Sequence, residues 1–242
     1  MKTSIKKTFS KKSIKGASLT EFIIVTPVAI LFVFGIIQAG LLYMAKLTLN
    51  NAVFMAARHG ANNNANKLSM RTSLAKGLIP FYIDAFNKPD VSSMTAAMAK
   101  STADVFGNPL HMGDAFKVIS PSDSMYQRYG LNSPAGTYIP NDNLEYRDAT
   151  ARSSSEGQIS IRDANILKIK FTYAYDIKKV PLMATIFRRI MCGGFDGSVD
   201  VWKNNSIIGL GLDPGNCIYY AAGTMPIVSY ATVQMQSNPI KN

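Results

Sequence analysis

Glu21 stands at the head of the longest apolar run in the chain, Phe22 to Ala45, which carries no charged residue. A carboxylate in the middle of a bilayer costs about 2.5–3.5 kcal/mol on insertion scales, and less near an edge. The fourteen Phe, Ile, Leu and Val residues of the run contribute about −4 to −8 kcal/mol in the opposite direction. The run can therefore insert as a helix together with its glutamate, although the carboxylate still favours a positive partner. The alternative is a glutamate that snorkels to the interface beside Lys15.

Cys192 and Cys217 are the two cysteines of the chain. Zinc binding needs about four well-spaced ligands, so a zinc site is not expected from them. If their domain lies outside the cytoplasm, they can form one disulfide that closes a loop of some 25 residues. By the chain-entropy model such a bridge stabilises the fold by about 3 kcal/mol. The alternative is a pair of free, buried thiols.

Catalytic chemistry is not indicated elsewhere in the sequence. The histidines, His59 and His111, occur without a nucleophile or metal-ligand motif, and we interpret them as solvated or structural. No Gly-x-Ser-x-Gly, His-Glu-x-x-His or phosphate-loop pattern occurs. The acidic stretch Asp196–Asp200 lacks the spacing of a calcium-binding loop and reads as a turn. We therefore expect no enzymatic activity, no cofactor and no metal.

The element that must position Glu21 is a membrane-spanning helix. The 24 residues from Phe22 to Ala45 cover about 36 Å as a helix, enough to cross a hydrocarbon core of about 30 Å. A core helix of a soluble protein would show a polar stripe, whereas Thr26 and Gln38 alone interrupt this run. A cleaved signal peptide would have a shorter apolar region, of about 7–15 residues, with its cleavage site beyond it.

The charge distribution predicts the topology of this span. The formal net charge of +11 suggests nucleic acid, but residues 1–16 alone contribute six lysines and no acid. The remaining 20 basic side chains exceed the 15 acidic ones by five. By the positive-inside rule the N-terminus is cytoplasmic and the chain after the span is exported. No nucleic-acid partner is expected.

The junction before the apolar run, Lys15 to Phe22, reads Lys-Gly-Ala-Ser-Leu-Thr-Glu-Phe. It resembles the prepilin peptidase site of type IV pilins and their pseudopilin relatives. That resemblance implies cleavage after Gly16 on the cytoplasmic side, with Ala17 as the new N-terminus. Its α-amine then offers Glu21, the fifth mature residue, a positive partner in the same or a neighbouring chain. In pilins this pairing guides subunits into the growing filament, and Glu21 and Phe22 would have that assembly role here.

The resemblance extends through Pro27, Gly35 and Gly40 to the alanine-rich stretch Asn51–Ala61. This pattern is similar to that of TadE-like pseudopilins of tight-adherence (Tad) pili, with weaker likeness in residues 166–182 and 231–235. It implies a minor pilin whose partners are a prepilin peptidase, other pilin or pseudopilin subunits and the pilus assembly machinery. The mature chain of 226 residues is bulky for a thin filament, which favours a minor, initiating or tip subunit over the short major pilin.

The exported part is predicted to be α+β, with helices packed on a small antiparallel sheet. The helix face formed by Leu49, Val53, Ala56 and Gly60 can contact either the subunit's own domain or a neighbouring helix. The asparagine run at residues 62–64 should end the helix. The further expectations are helices in Lys67–Phe86 (interrupted at Pro80), Ser92–Phe106 with Asp90 or Ser92 as N-cap, and Leu182–Met191; an exposed irregular loop in Ser120–Gly157; and strands in Ile166–Tyr175, Ser198–Gly209 and Ile227–Gln236.

Three regions are therefore expected: a cleaved leader (1–16), the hydrophobic assembly helix with its extension (17–61), and an exported globular domain (62–242). The favoured interpretation is a minor pilin or pseudopilin that helps to assemble, initiate or cap a Tad-type pilus used in surface attachment. It would reside in the bacterial inner membrane as a single-pass protein, with its domain in the periplasm or at the pilus surface. The alternative is a single-pass inner-membrane protein whose exported domain binds a ligand or partner without any role in a filament.

Overall fold

The computed structural model describes residues 17–83, 90–134, 136–147, 150–154, 157–176 and 217–241. The chain divides into two compact units, Met1–Gly40 and Leu41–Asn242. Three short 3-10 turns accompany the elements, at Ile79–Phe81, Pro109–His111 and Gly113–Ala115. The helices are α1 (Ala17–Asn62), α2 (Lys67–Gly77), α3 (Val91–Gly107), α4 (Asp123–Tyr129), α5 (Ile161–Ala164) and α6 (Cys217–Ala221); the strands are β1 (Phe116–Ser120), β2 (Leu131–Ser133), β3 (Gly136–Tyr138), β4 (Arg152–Ser154), β5 (Gly157–Ile159), β6 (Ile166–Asp176) and β7 (Thr224–Gln234).

The long helix α1 ends inside the asparagine run, as predicted. Asn64 and Ala65 follow with φ angles of 54° and 58°, in the left-handed region that asparagine tolerates better than most residues. The C-terminal segment fastens this end of the helix. The N–H groups of Gln236 and Ser237 donate to the carbonyl of Ala61 at 3.0 Å, so a helix-end acceptor is satisfied by backbone from the far end of the chain.

The predicted strand at residues 166–175 is the centre of a three-stranded antiparallel sheet with the order β1-β6-β7. Its partner near the C-terminus, β7, was also predicted. In the sequence, apolar residues alternate with Lys168, Lys170 and Thr172, which predicts a strand buried on one face. This holds for the first half of β6, where Lys168 is exposed between the buried Leu167 and Ile169. In the second half Thr172 and Ala174 are buried as well, so the expectation of a strand buried on one face alone is wrong there. The other edge strand, β1, was not predicted.

The main core lies between this sheet and α1, α2 and α3. Leu49, Val53 and Ala56 are fully buried in it. This helix face was expected to contact either the subunit's own domain or a neighbouring helix, and in the structure it contacts the subunit's own domain. Small residues allow a close approach: a Cβ placed on Gly77 of α2 would lie 2.6 Å from the Cα of Ala52 in α1. Burial of this helix stripe supplies the apolar area that holds the second unit together.

The segment from Ser120 to Gly157 is not the exposed irregular loop that its composition predicts. It contains α4, the β2–β3 hairpin and strand β4, and it contributes to a second, smaller core. Tyr126 and Ile139 are buried there, and Tyr129 donates a hydrogen bond to the carbonyl of Ile159 at 2.7 Å. Tyr146 remains highly exposed. Tyr126 and Tyr129 therefore contribute to packing within the domain.

The remaining helices follow local signals. Asp90 caps α3, where its side chain accepts from the N–H of Val91 and a capping box with Ser93 is complete. α2 ends at Gly77, before the 3-10 turn that contains Pro80, so the predicted helix is shorter than expected. The predicted helix Leu182–Met191 and the predicted strand Ser198–Gly209 lie outside the described residues.

Candidate functional site: the apolar helix and its junction

Glu21 and Phe22 lie one turn into α1, which begins at Ala17. Both side chains are exposed, Phe22 at 68%. Gly16 and the rest of the expected leader lie outside the described residues. Ala17 and Glu21 are four residues apart in one helix, so they belong to the same helix face. An α-amine on Ala17 and the carboxylate of Glu21 would therefore be neighbours within a single chain.

The turn after Glu21 adapts to a proline inside the helix. Pro27 has no N–H, so it cannot donate to the carbonyl four residues earlier. Thr26, the residue before it, donates its hydroxyl to the carbonyl of Phe22 at 2.6 Å. Local side-chain bonding of this kind keeps polar groups paired where water is absent. The hydroxyl of Thr26 is therefore compatible with an apolar environment.

The apolar run of α1 is largely exposed. Its most hydrophobic 18-residue window has a mean hydropathy of 2.5, and 6% of that window is buried. A core helix of a soluble protein would be mostly buried, so the exposure argues against that alternative for this run. The large exposed side chains between Phe22 and Met44 include Ile23, Ile24, Val25, Val28, Leu31, Phe32, Val33, Ile36, Ile37 and Tyr43. One helix near the N-terminus thus fits a single-pass membrane protein.

From Ala45 onward α1 packs against its own domain. Lys46 donates its ammonium group to the carbonyl of Val228 in β7. One turn later, Asn50 accepts a hydrogen bond from the hydroxyl of the buried Ser229 at 2.8 Å. These two contacts attach the helix to the edge strand of the sheet. Lys46 and Asn50, which follow the apolar run, therefore stabilise the fold of the second unit.

Arg58 and His59, two exposed residues near the end of α1, have local partners. The guanidinium of Arg58 lies 5.8 Å from the ring centroid of Phe54. The Nδ1 atom of His59 lies 2.7 Å from the hydroxyl of Ser69 and 3.1 Å from the amide nitrogen of Asn63. A solvated helix face accounts for both side chains.

A buried polar cluster is the arrangement among the described residues that most resembles a catalytic one. His111 and Asp104 form a pair with Nδ1 and Oδ2 3.2 Å apart, and the His111 side chain is 0% exposed. Its other nitrogen, Nε2, accepts from the N–H of Ala174 at 2.8 Å. A histidine whose two nitrogens are both engaged and sealed from solvent cannot accept a proton from a substrate. The pair is structural, as the sequence predicted for His111.

Tyrosines complete this cluster. Tyr82 donates its hydroxyl to the carboxylate of Asp104, and its oxygen lies 3.0 Å from that of Tyr173. Burial acts to raise the pKa of Asp104, but the hydrogen bonds from His111, Tyr82 and Asn108 outweigh it and lower that pKa. Burial raises the pKa of Tyr173 to about 12. Apart from the polarity of its members, no pattern in the sequence indicates this cluster.

The predicted disulfide is not tested. Cys192 and the side chain of Cys217 lie outside the described residues, although Cys217 begins the short helix α6. Among the described residues, no group of three His, Cys, Asp or Glu side chains comes close enough together to hold a metal ion.

Comparison with known proteins identifies the N-terminal segment. Residues 16–58 match the model of a family described as TadE-like protein, which confirms the resemblance seen in the sequence for this stretch. The match begins at Gly16 and ends at Arg58, so it covers the junction, the apolar run and most of the docked part of α1. No curated protein and no solved structure matches the chain.

Proposed function

We propose that this chain, TadE-like over residues 16–58, is a minor pilin or pseudopilin of a Tad-type pilus. The observation that carries the proposal is the uncovered apolar helix with Glu21 and Phe22 at its head. A prepilin peptidase removes residues 1–16 by cutting after Gly16, and the helix stays on the mature subunit. The subunit then contributes to the assembly, initiation or tip of the filament used in surface attachment.

Glu21 supplies the chemistry of assembly in this proposal. After cleavage the new α-amine of Ala17 is positive at neutral pH, and it lies on the same helix face as the Glu21 carboxylate. Pairing within one chain neutralises a charge that the bilayer disfavours. Pairing between chains neutralises it equally and brings two helices into register. The N-terminal end of the helix dipole also favours an acid near the start of α1.

The proposed partners and location follow from the same segment. The lysine-rich leader keeps the N-terminus on the cytoplasmic side of the inner membrane, and the domain after the span is exported. Partners are the prepilin peptidase, other pilin or pseudopilin subunits and the assembly machinery. The proposal divides the chain into a leader (1–16), an assembly helix with its extension (17–61) and an exported domain (62–242), and it assigns no enzymatic role.

Mass spectrometry of the protein from cells that contain the peptidase tests the processing step. The proposal expects a mature N-terminus at Ala17 and an intact chain in cells without the peptidase. An unprocessed leader in both strains, or a cut beyond residue 40, contradicts it.

A pair of acid variants tests the assembly step. Glu21→Ala should leave membrane insertion intact but remove the subunit from sheared pili, because its α-amine then has no carboxylate partner. Glu145→Ala, at an exposed acid of the second unit, is the matched control and should remain in sheared pili. Equal recovery of both variants with sheared pili would contradict the role of Glu21 in assembly. Absence of the unmodified protein from sheared pili would favour the alternative of a membrane protein with no filament role.

That alternative has one observation in its favour. The part of α1 beyond Ala45 is docked into a domain with its own core, so the domain does not need a filament neighbour to bury this helix face. In that case the protein stays in the inner membrane, and its exported domain binds an envelope ligand or partner.

A further inference from the structure

Three lysines lie on the face of the three-stranded sheet opposite to the main core. Lys117 of β1 pairs directly with Lys170 of β6, and Lys170 pairs in turn with Tyr230 of β7. Lys168 lies two residues along on the same face of β6 and pairs with Thr232. We name these five residues the lysine face. Lys117, Lys168, Tyr230 and Thr232 are exposed, and Lys170 is half-buried.

The arrangement is electrostatically unfavourable in the free subunit. Directly opposed residues of an antiparallel pair have Cβ atoms about 4.5–5.5 Å apart, and like charges in such a pair are destabilising. That separation is shorter than the screening length of about 8 Å at physiological salt, so Lys117 and Lys170 repel each other. Within the described part of the chain, none of the three lysines has an ion-pair partner.

The three strands of the sheet carry no acidic residue next to the lysine face. Neither β1 nor β7 contains an acid. The acid of β6 is Asp176, six residues beyond Lys170, which at about 3.3 Å per residue corresponds to about 20 Å. Asp114, on the turn before β1, is exposed and makes no ion pair with Lys117. Among the described residues, the positive charge of the lysine face is therefore not balanced by acids of the same sheet.

Ordinary structural roles do not account for the set. Lysines on an edge strand discourage pairing with other sheets, which covers Lys117 on β1, but Lys168 and Lys170 belong to the central strand. Lysines that serve solubility are usually interspersed with acids. Lipid recognition through basic residues uses clusters of about 4–8 cations, more than this face offers. Exposed tyrosine is, by contrast, enriched at protein interfaces, and complementary charges across an interface steer the partner and set its register.

We infer that the lysine face is a docking surface for an acidic segment of a partner protein. A second copy of this face does not fit, because it brings the same charge. Carboxylates of the partner would be placed between Lys117, Lys168 and Lys170, and the ring of Tyr230 would cover the adjoining backbone. The inference does not depend on leader processing, since no residue of the lysine face belongs to α1. Glu21→Ala should therefore leave this binding unchanged, which separates a failure here from a failure of the proposed function.

Binding of an oligoglutamate peptide tests the inference. The full-length protein, in which glutamine replaces the six lysines of residues 1–16 so that they do not bind the probe, is placed in nanodiscs of phosphatidylcholine. A fluorescein-labelled oligoglutamate is then titrated by fluorescence anisotropy. The triple variant Lys117→Glu, Lys168→Glu, Lys170→Glu should bind at least about tenfold more weakly. Tyr230→Ser should weaken binding by about threefold.

A matched variant separates the lysine face from net charge. Lys76→Glu, Lys100→Glu, Arg128→Glu reverses three exposed cations outside the sheet and should change the affinity less than about twofold. Equal losses in the two triple variants would assign the binding to net charge and overturn the inference. So would unchanged binding in the lysine-face variant with its circular dichroism and melting temperature preserved. Binding of phosphatidylglycerol vesicles but not of the peptide would assign the face to lipid and also overturn it.

Discussion

Replacing His111 with phenylalanine tests the buried cluster that joins α3 to the sheet. The ring keeps its size and its stacking on Tyr173, whose centroid lies 4.9 Å away at an angle of 17°. Two hydrogen bonds are lost. The N–H of Ala174 loses its acceptor, and Asp104 loses one of the donors that hold its carboxylate.

The loss at Ala174 is larger than that of an ordinary sheet bond because no other acceptor is at hand. Pairing of β1 with β6 ends at Phe116 and Phe171. Ala174 therefore lies beyond the end of β1, and His111 supplies the acceptor for its N–H. A buried N–H left without an acceptor costs about 1–3 kcal/mol, and the carboxylate contact adds about 1 kcal/mol. We therefore expect His111→Phe to lower the free energy of unfolding by about 2–4 kcal/mol.

Two measurements on the full-length protein in detergent check this value. Near-ultraviolet circular dichroism, followed during a denaturant titration, gives the free energy of unfolding of the second unit. Amide hydrogen exchange of the peptide that contains Ala174 should accelerate selectively. His59→Phe is the control, since His59 is exposed and its loss should cost less than about 0.5 kcal/mol. Equal costs for the two variants, or unchanged exchange at Ala174, would refute the reasoning.

Three further predictions concern the same core. The pKa of Asp104 is lowered in the folded state, so its contribution to stability should be lost as pH falls below about 4, and Asp104→Asn should flatten that part of the stability profile. Tyr173 has its pKa raised to about 12, so the unfolded chain ionises first and stability should fall above about pH 10; Tyr173→Phe should reduce that loss in an alkaline titration followed by circular dichroism. Gly77→Ala should lower the free energy of unfolding by about 1–3 kcal/mol, because its Cβ would lie 2.6 Å from Ala52. The control Gly107→Ala, whose Cβ meets nothing within 4 Å, should be neutral or stabilising, and a similar loss in both variants would contradict the packing argument.

Features with a strong local period could be predicted from the sequence. The apolar run of α1 contains no charged residue, so its sequence predicts one long helix. The Asp90 cap is a local hydrogen-bond signal, and the alternation in β6 spans the length of a typical strand. Each of these elements is specified by residues within itself. This explains why their positions agree with the structure to within a few residues.

Features that depend on distant residues could not be predicted in the same way. β1 is five residues long and carries a register shift between Val118 and Ser120, which interrupts its alternation with β6. Composition identifies turns in residues 120–157, but the burial of Ile139 depends on Ile159 and Ile161 much later in the chain. The His111 cluster likewise exists because α3 and β6 meet in the fold.

The two proposed electrostatic interactions differ in their sensitivity to salt, so one experiment can separate them. A pair between Glu21 and the α-amine of Ala17 would form in a low-dielectric bilayer, where mobile ions do not enter and screening is weak. The lysine face is exposed to water, so its attraction for carboxylates should fall steeply at salt concentrations whose screening length is shorter than the charge separation. Raising the salt to about 0.5 M should therefore release an acidic partner from the second unit. It should leave the subunit in the filament, because the interactions that hold the apolar helix there are hydrophobic and shielded from ions.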